Sequence, residues 1–300
     1  MLDPDTPLVN RVIQGQYAPG SLFKLVMATA ALEEGVVTPS TTFYCSGAVT
    51  LYGAERHCLG NHGFVDLHKA LQKSCNVYFY QVGVRLEIER IARYAKLMGL
   101  GAPTGVDLPH ETGGLIPTPE WKQRTQKLPW YAGETVSVAI GQGQVLVTPL
   151  QVARLAALVA NGGRLVQPHL VRVQGGTPTE WSEPQQLRLK PETLAFVKEG
   201  LRAVVESGTG HRADIPGLEV CGKTGSAQVV TSERLKRGPS AGILPHAWFL
   251  AFAPKDHPRI ALAVLVEHGG AGAAAAAPVA REILSAFFAR SAETQQLASN

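Results

Sequence analysis

The 300-residue sequence has little charge and no long apolar run. Only 17% of its residues are charged, and 28 basic against 24 acidic residues leave a net charge of +4. It contains no basic block and no basic stripe interleaved with aromatic residues, which argues against nucleic-acid binding. It also contains no run of eighteen apolar residues, and residues 1–5 (MLDPD) do not read as a signal peptide. Composition therefore predicts neither a nucleic-acid-binding chain nor a membrane-spanning one.

Hydrophobic residues are plentiful, at 45% of the chain. A chain of this length and composition can bury a large core, and no internal repeat divides it. We therefore expect residues 1–300 to form one catalytic domain.

Three short motifs occur in one order: Ser21–Lys24 (SLFK), Ser74–Asn76 (SCN) and Lys223–Gly225 (KTG). Each is weak alone, because a Ser-x-x-Lys pattern arises about once by chance in a chain this long. Together, in this order, they predict a serine acyl-transfer site.

The context of Ser21 supplies the chemistry. A turn-forming run precedes it, and residues 21–34 have a helical pattern that ends at Gly35, so Ser21 is predicted at a helix N-terminus. Lys24 then lies on the same helix face, within reach of the Ser21 hydroxyl. It acts as a base only if desolvation or a neighbouring cation such as Lys223 lowers its pKa. The alternative for these two residues alone is a serine N-cap followed by a solvated lysine.

The third motif lies in a strand-like segment broken by glycines. Glycine within a strand often marks close approach of a ligand, so a peptide could add to this segment as an extra strand. Lys223 and Thr224 would bind its terminal carboxylate, and the Ser226 N–H would join the Ser21 N–H in an oxyanion hole. The alternative is a glycine-rich turn with an exposed lysine.

These residues resemble the transpeptidase domain of class B penicillin-binding proteins, most closely the elongation-type penicillin-binding protein 2. The similarity extends over nearly the whole chain. It includes residues 10–11, 17–24, 79–81, 130–135, 140–143, 148–151 and 246–249.

The resemblance implies a role for each motif residue. Ser21 would be the nucleophile, Lys24 its general base and Ser74 a proton-relaying hydroxyl. Asn76 would hold the donor peptide, and the Lys223–Ser226 segment would bind substrate. The implied reaction is D,D-transpeptidation between peptidoglycan stem peptides through a Ser21 acyl-enzyme, which β-lactams would inhibit covalently. Implied partners are a glycan polymerase and scaffold proteins of the elongation machinery, with no nucleic acid.

The resemblance also implies an α+β fold, in which an antiparallel sheet flanked by helices lies beside an all-helical lobe. The family's N-terminal strand pair, pedestal domain and anchor helix are expected to be absent from this chain. A full-length relative would act at the periplasmic face of the cytoplasmic membrane.

The secondary-structure pattern places helices in the first two-thirds and strands near the end. Helices are predicted over 21–34, 66–74, 76–99, 148–161, 191–207 and 279–290. Strands are predicted over 218–230, 246–253 and 259–267. The Ala273–Ala277 tract is expected to be a loop that leads into the last helix.

Cysteine and histidine form a second pattern. Cys45, Cys58, His62 and Cys75 give a C-x12-C-x3-H-x12-C run, a ligand set that suits a structural zinc ion. The run resembles the metal site beside the second motif in many penicillin-binding protein 2 sequences. His57 is an alternative ligand. A Cys45–Cys58 disulfide and free thiols are the competing interpretations. Cys221 lies outside the run and is predicted to be a small buried residue.

Two other functions remain open from the sequence. A D,D-carboxypeptidase or serine β-lactamase would use the same Ser21 and Lys24 but pass the acyl group to water. A non-catalytic module that binds peptidoglycan would need neither residue.

Overall fold

A computed structural model describes residues 7–174, 177–179, 181–228 and 244–298. Within these ranges the α-helices are α1 (Arg11–Gln14), α2 (Lys24–Glu33), α3 (Leu67–Gln72), α4 (Asn76–Leu97), α5 (Pro119–Gln126), α6 (Ala132–Val138), α7 (Pro149–Ala160), α8 (Pro191–Glu206) and α9 (Gly272–Ala298). Two short 3-10 helices span Gly20–Phe23 and His211–Ala213.

The strands form one central sheet and several small ones. The strands are β1 (Phe43–Cys45), β2 (Ala48–Leu51), β3 (Ala54–His57), β4 (Gly63–Val65), β5 (Arg164–Leu165), β6 (Val173–Gln174), β7 (Thr177–Pro178), β8 (Gln185–Gln186), β9 (Cys221–Ala227), β10 (His246–Ala253) and β11 (Ile260–Val266). The central sheet has the order β11-β10-β9 and is antiparallel throughout. The hairpin β2–β3 and the pair β1–β4 lie outside it.

Strand β10 is buried on both faces, which explains its sequence, HAWFLAFA. Successive side chains of a strand point to opposite faces, so its residues divide between two hydrophobic clusters. The larger side chains of one face, Trp248, Leu250 and Phe252, join the main core. The alternating residues pack in a second cluster, formed by Ala247, Phe249, Ala251 and Ala253. The central strand therefore connects the two layers of the core.

Helix α9 covers the second face of the sheet. Its side towards the sheet consists of Ala276, Ala277, Ala280 and Leu284. The prediction of a loop over Ala273–Ala277 is wrong, because helix α9 begins at Gly272. Small alanine side chains let the helix approach the sheet closely, and this packing stabilises the tract as helix. Within the described residues, Gly272–Arg290 is also the one helical segment that is long and apolar enough to cross a membrane.

The other predicted elements agree with the structure to within a few residues, except that the last helix, predicted over 279–290, extends over Gly272–Ala298. The predicted first helix begins with the 3-10 turn Gly20–Phe23 before α2 continues it. The strand predicted over 218–230 is observed as β9, and residues 229–230 lie outside the described ranges. Residues 7–20 contribute no strand to the central sheet; Tyr17 instead forms an isolated bridge with Val147. The antiparallel sheet flanked by helices confirms the predicted α+β class.

Candidate active site

The three motifs converge on the hydroxyl of Ser74. Lys24 Nζ lies 3.2 Å from Ser74 Oγ, and Lys223 Nζ lies 2.9 Å from the same atom. Lys24 Nζ also donates to the Ser74 carbonyl oxygen at 2.8 Å and to Asn76 Oδ1 at 2.7 Å. One hydroxyl therefore lies between two amines that come from α2 and β9.

Burial changes the proton affinity of both lysines. Lys24 and Lys223 are fully buried, and no carboxylate of the described residues pairs with either. Desolvation lowers the pKa of Lys24 to about 7, although the sulfurs of Cys58 and Cys75 oppose the shift. Desolvation, followed by repulsion from Lys24, lowers the pKa of Lys223 well below its usual value. A neutral amine is therefore accessible near neutral pH.

Ser21 lies in the 3-10 turn that precedes α2 and faces a cleft of about 510 Å³. Residues three apart eclipse each other in a 3-10 helix, which places Ser21 and Lys24 on one side. Within the described residues, however, the Ser21 hydroxyl has no hydrogen-bond partner, and Lys24 is directed to Ser74 and Asn76. Catalytic hydrogen bonds often tighten only when substrate binds.

Close contact between two backbones places Ser21 beside β9. Gly20 has φ +55°, and a Cβ built on it would lie 2.5 Å from the Ser226 carbonyl oxygen. Glycine alone fits there, because the left-handed conformation and the missing side chain are both needed. Gly20 N–H donates to the Gly141 carbonyl oxygen at 2.9 Å, and Gln142 Nε2 donates to the Ser226 carbonyl oxygen at 3.2 Å. Ser21 and Ser226 therefore line the same cleft.

Ser74 has a strained backbone, with φ +54°. Non-glycine residues rarely adopt this conformation, and where it occurs it often marks a functional site. The turn connects α3 to α4 and directs the Ser74 hydroxyl towards both lysines.

Sequence reasoning missed one hydroxyl. Thr209 Oγ1 lies 2.7 Å from Thr224 Oγ1, so it helps to orient the threonine of the third motif. The glycine-rich run at residues 207–210 (SGTG), directly after α8, was the available signal. Ser137 also lines the cleft and carried no recognisable motif, whereas Tyr80, another lining residue, lies in the 79–81 segment of the family resemblance, which gave it no role.

The predicted cysteine–histidine set is also brought together. The ligand atoms of Cys45, Cys58, His62 and Cys75 all lie within 4.8 Å of one another. His57, the alternative ligand, lies outside this group, and its Nδ1 is 3.5 Å from Glu55. All four cysteines of the chain are thiols, so the proposed Cys45–Cys58 disulfide is not formed.

The distances in this cluster can be compared with those of tetrahedral zinc. Bond lengths of about 2.3 Å for Zn–S and about 2.0–2.1 Å for Zn–N place two sulfurs about 3.8 Å apart and a sulfur and nitrogen about 3.6 Å apart. Cys58 Sγ and Cys75 Sγ are 3.8 Å apart. His62 Nδ1 is 3.6 Å from Cys45 Sγ and 3.5 Å from Cys58 Sγ. Three of the six distances in the cluster therefore match a tetrahedral zinc site, and the four ligand types suit that ion.

The cluster is joined directly to the second motif. Cys75 separates Ser74 from Asn76, and the Asn76 N–H donates to Cys58 Sγ at 3.1 Å. The hydrogen bond between Cys58 and Cys75, with backbone N–H groups, lowers the pKa of the Cys58 thiol, as suits a metal-binding thiolate. Cys221 lies elsewhere in the core, and burial raises the pKa of its thiol to about 12, so it is the small buried residue that was predicted.

Residues 3–285 match the penicillin-binding protein transpeptidase domain. The chain belongs to this family. It is 38% identical over 297 residues to the peptidoglycan D,D-transpeptidase MrdA of Haemophilus influenzae, covering 94% of this chain and 46% of the relative. Against the MrdA of Acinetobacter baumannii the identity is 39%, with 92% of this chain and 43% of the relative covered. The chain thus spans less than half the length of these relatives.

Solved structures show the same fold. The chain superposes on Pseudomonas aeruginosa PBP2 in complex with WCK 5153 with a TM-score of 0.85 and 35% identity, covering 94% of this chain and 63% of the other. It also superposes on a complex between PBP2 and MreC from Helicobacter pylori with a TM-score of 0.83 and 30% identity, covering 95% of this chain and 52% of the other. Both neighbours are penicillin-binding protein 2 structures, in agreement with the predicted resemblance.

Proposed function

We propose that this chain is the transpeptidase domain of a penicillin-binding protein 2 and cross-links peptidoglycan stem peptides through a Ser21 acyl-enzyme. The observation that carries the proposal is the convergence of Lys24 and Lys223 on Ser74 Oγ, beside the cleft that Ser21 lines. Family membership and the MrdA relatives support it.

In the first half-reaction, Ser21 Oγ bonds to the carbonyl carbon of the penultimate D-alanine, and its proton passes to the neutral amine of Lys24. The bond to the terminal D-alanine breaks, and the leaving amine takes a proton through Ser74 Oγ. The N–H groups of Ser21 and Ser226 stabilise the oxyanion that forms between these steps. Lys223 and Thr224 hold the terminal carboxylate, and a β-lactam acylates Ser21 in the same way.

In the second half-reaction, an amine of a neighbouring stem bonds to the same carbon and gives up a proton to Lys24. The ester bond to Ser21 breaks, and Ser21 Oγ recovers a proton. Asn76 and the strand β9 hold the donor peptide during both steps, and no cofactor takes part in them.

Cys45, Cys58, His62 and Cys75 would hold a structural zinc ion. The sulfur–sulfur and sulfur–nitrogen distances support this ligand set. The ion would clamp the β2–β3 hairpin to the Ser74–Asn76 turn and so preserve the position of two active-site residues. It would supply no step of the acyl transfer.

The proposal extends to location and partners. Residues 1–300 form one transpeptidase domain that acts at the periplasmic face of the cytoplasmic membrane as part of a longer protein. A scaffold protein of the MreC kind and a glycan polymerase are the proposed partners, because the structural neighbours include PBP2 with MreC and a peptidoglycan synthase complex.

Labelling with a fluorescent penicillin tests the proposal. We expect one covalent adduct per chain on the tryptic peptide that contains Ser21, and none in Ser21→Ala. Ser137→Ala is the matched control, since Ser137 lines the same cleft without belonging to a motif, and it should keep the adduct. An adduct on a peptide that lacks Ser21 would contradict the assignment. Rapid turnover of the adduct would indicate a β-lactamase instead, and a folded chain without any adduct would indicate a binding module.

A further inference from the structure

A second cavity of about 310 Å³ adjoins the catalytic cleft. The two share Arg56 and Ser137 as lining residues, so a ligand that leaves the cleft on this side enters the second cavity. Trp130 and Tyr131 provide aromatic surface there. None of the motif residues lines it, and its volume suits a short peptide segment.

Arg56 is the only polar side chain with a buried, unpartnered nitrogen among the described residues. It extends from β3, and its Nε is buried without a hydrogen-bond partner. Its Nη2 lies 3.5 Å from the position that a Cβ on Gly133 would take, so its guanidinium lies against the backbone of α6. A buried donor of a charged group costs free energy unless an acceptor satisfies it.

The carboxylates that line the two cavities contact groups other than Arg56. Glu134 accepts from Lys122 Nζ at 2.5 Å and from the Tyr131 N–H at 2.9 Å, although it lines the same cavity as Arg56. Glu55 lies 3.5 Å from His57 at the surface. None of the ion pairs of the described residues includes Arg56. Among the described residues, the positive charge between the two cavities therefore has no counter-ion.

We infer that Arg56 and the Trp130–Tyr131 cavity form a subsite for a carboxylate on the acceptor peptide. The inference rests on the proposed transpeptidase function. A guanidinium binds a planar carboxylate through two parallel hydrogen bonds, and aromatic rings bind the apolar part of the chain that carries it. The donor's terminal carboxylate goes to Lys223 and Thr224 on β9, which leaves Arg56, on the β2–β3 hairpin, for the second substrate.

Two acceptor amines of the same size, of which only one carries a carboxylate, provide the test. A thioester donor acylates Ser21, and D-alanine or D-alaninamide then competes with water for the acyl group. The measured quantity is the ratio of transfer to hydrolysis for each acceptor, in the wild type and in Arg56→Gln. The D-alanine ratio is divided by the D-alaninamide ratio in each protein, and the two quotients are then compared. Because the two amines differ in basicity by the same amount in both proteins, that difference cancels.

We expect Arg56→Gln to lower the relative preference for D-alanine about tenfold or more, the usual effect of a hydrogen bond to a charged group. D-Alaninamide transfer should stay within about twofold of the wild type. Arg56→Lys keeps the positive charge but lacks the paired N–H donors of the guanidinium, so the preference for D-alanine should fall less than in Arg56→Gln. Arg124→Gln is the control, since Arg124 is exposed and lines neither cavity, and it should leave the preference unchanged.

Acylation by a fluorescent penicillin reports separately on the proposed function and on folding. An unchanged preference in Arg56→Gln, with acylation intact, overturns the subsite. A fall in acylation of more than about threefold in both Arg56 variants, with their melting temperatures unchanged, also overturns it, because it would place Arg56 on the donor side. Absence of acylation and transfer in the wild type would contradict the proposed function itself.

Discussion

Two polar clusters meet at the Ser74–Asn76 turn, and they are built differently. The lysine cluster joins side chains from α2, the turn and β9, which are 50 and 149 residues apart in the sequence. Its amines are completely buried in the main core. The cysteine–histidine cluster comes from residues 45–75 alone, mostly from the loops between short strands and from the start of α4, and has two half-buried members. The lysine cluster therefore forms only when the whole domain is folded, whereas the cysteine–histidine cluster stabilises one local segment.

This difference predicts that substitutions in the two clusters have different effects on activity and stability. Loss of a lysine should remove chemistry and leave the fold largely intact, because the surrounding core holds the other groups. Loss of a metal ligand should loosen the local segment first, and it should reach the chemistry only through the Ser74–Asn76 turn.

The largest effect is expected for Lys24→Ala. It removes the proposed general base, and acylation by penicillin should slow about 10²–10⁴-fold, the usual contribution of such a group. Stopped-flow labelling measures the rate, and a thermal melt checks the fold. Lys73→Ala is the matched control, because Lys73 precedes Ser74 but donates only to the Ser207 carbonyl oxygen, at 3.4 Å. Comparable slowing in both variants would contradict a role as base.

A smaller effect on rate and a larger one on stability are expected for Cys58→Ser. We expect the wild type to carry about one zinc per chain and the variant to lose it, with a loss in unfolding free energy on the order of 3 kcal/mol. Acylation should slow about tenfold as the turn loosens. Metal analysis and denaturant titration measure both.

Cys221→Ala serves as the control for the metal-ligand variant. Cys221 is buried outside the cluster, so this substitution should keep the zinc and the acylation rate. A wild type purified without zinc, with the four cysteines still reduced, would contradict the proposed metal site.

The smallest effect is expected from a change of pH, which alters the protonation of Lys24 without changing the sequence. Because burial lowers the pKa of Lys24 to about 7, the acylation rate should rise about tenfold per pH unit below pH 7 and level off above it. The unfolded chain would protonate this amine up to its ordinary value of 10.5. Between about pH 7 and that value the unfolded state binds more protons, so the contribution of Lys24 to stability increases as pH rises. A rate that is flat between pH 5.5 and 8, measured with penicillin, would rule out Lys24 as the titrating base.

Much of this arrangement could be predicted from local patterns. The helical periodicity of residues 76–99 and 148–161, and the apolar run HAWFLAFA in β10, depend on neighbours in sequence, so they predict the elements well. Motif order and spacing indicate Ser21, Lys24, Ser74, Asn76 and Lys223 as site residues, and the cysteine–histidine spacing indicates four residues whose side chains the fold brings together. The helical start of α9 was missed because its alanine tract becomes helical by packing on the sheet.

The sequence by itself determined which chemical groups this protein has and along which elements they are placed, because helix and strand periods act over a few residues. Only the tertiary structure decided which groups meet. It directs Lys24 to Ser74 and Asn76 instead of Ser21, sets Thr209 against Thr224, and places Arg56 between two cavities with no counter-ion in the part of the chain that the structure describes. These contacts join elements far apart in the chain, and their geometry follows from how helices and strands pack around a shared core, which local spacing does not encode.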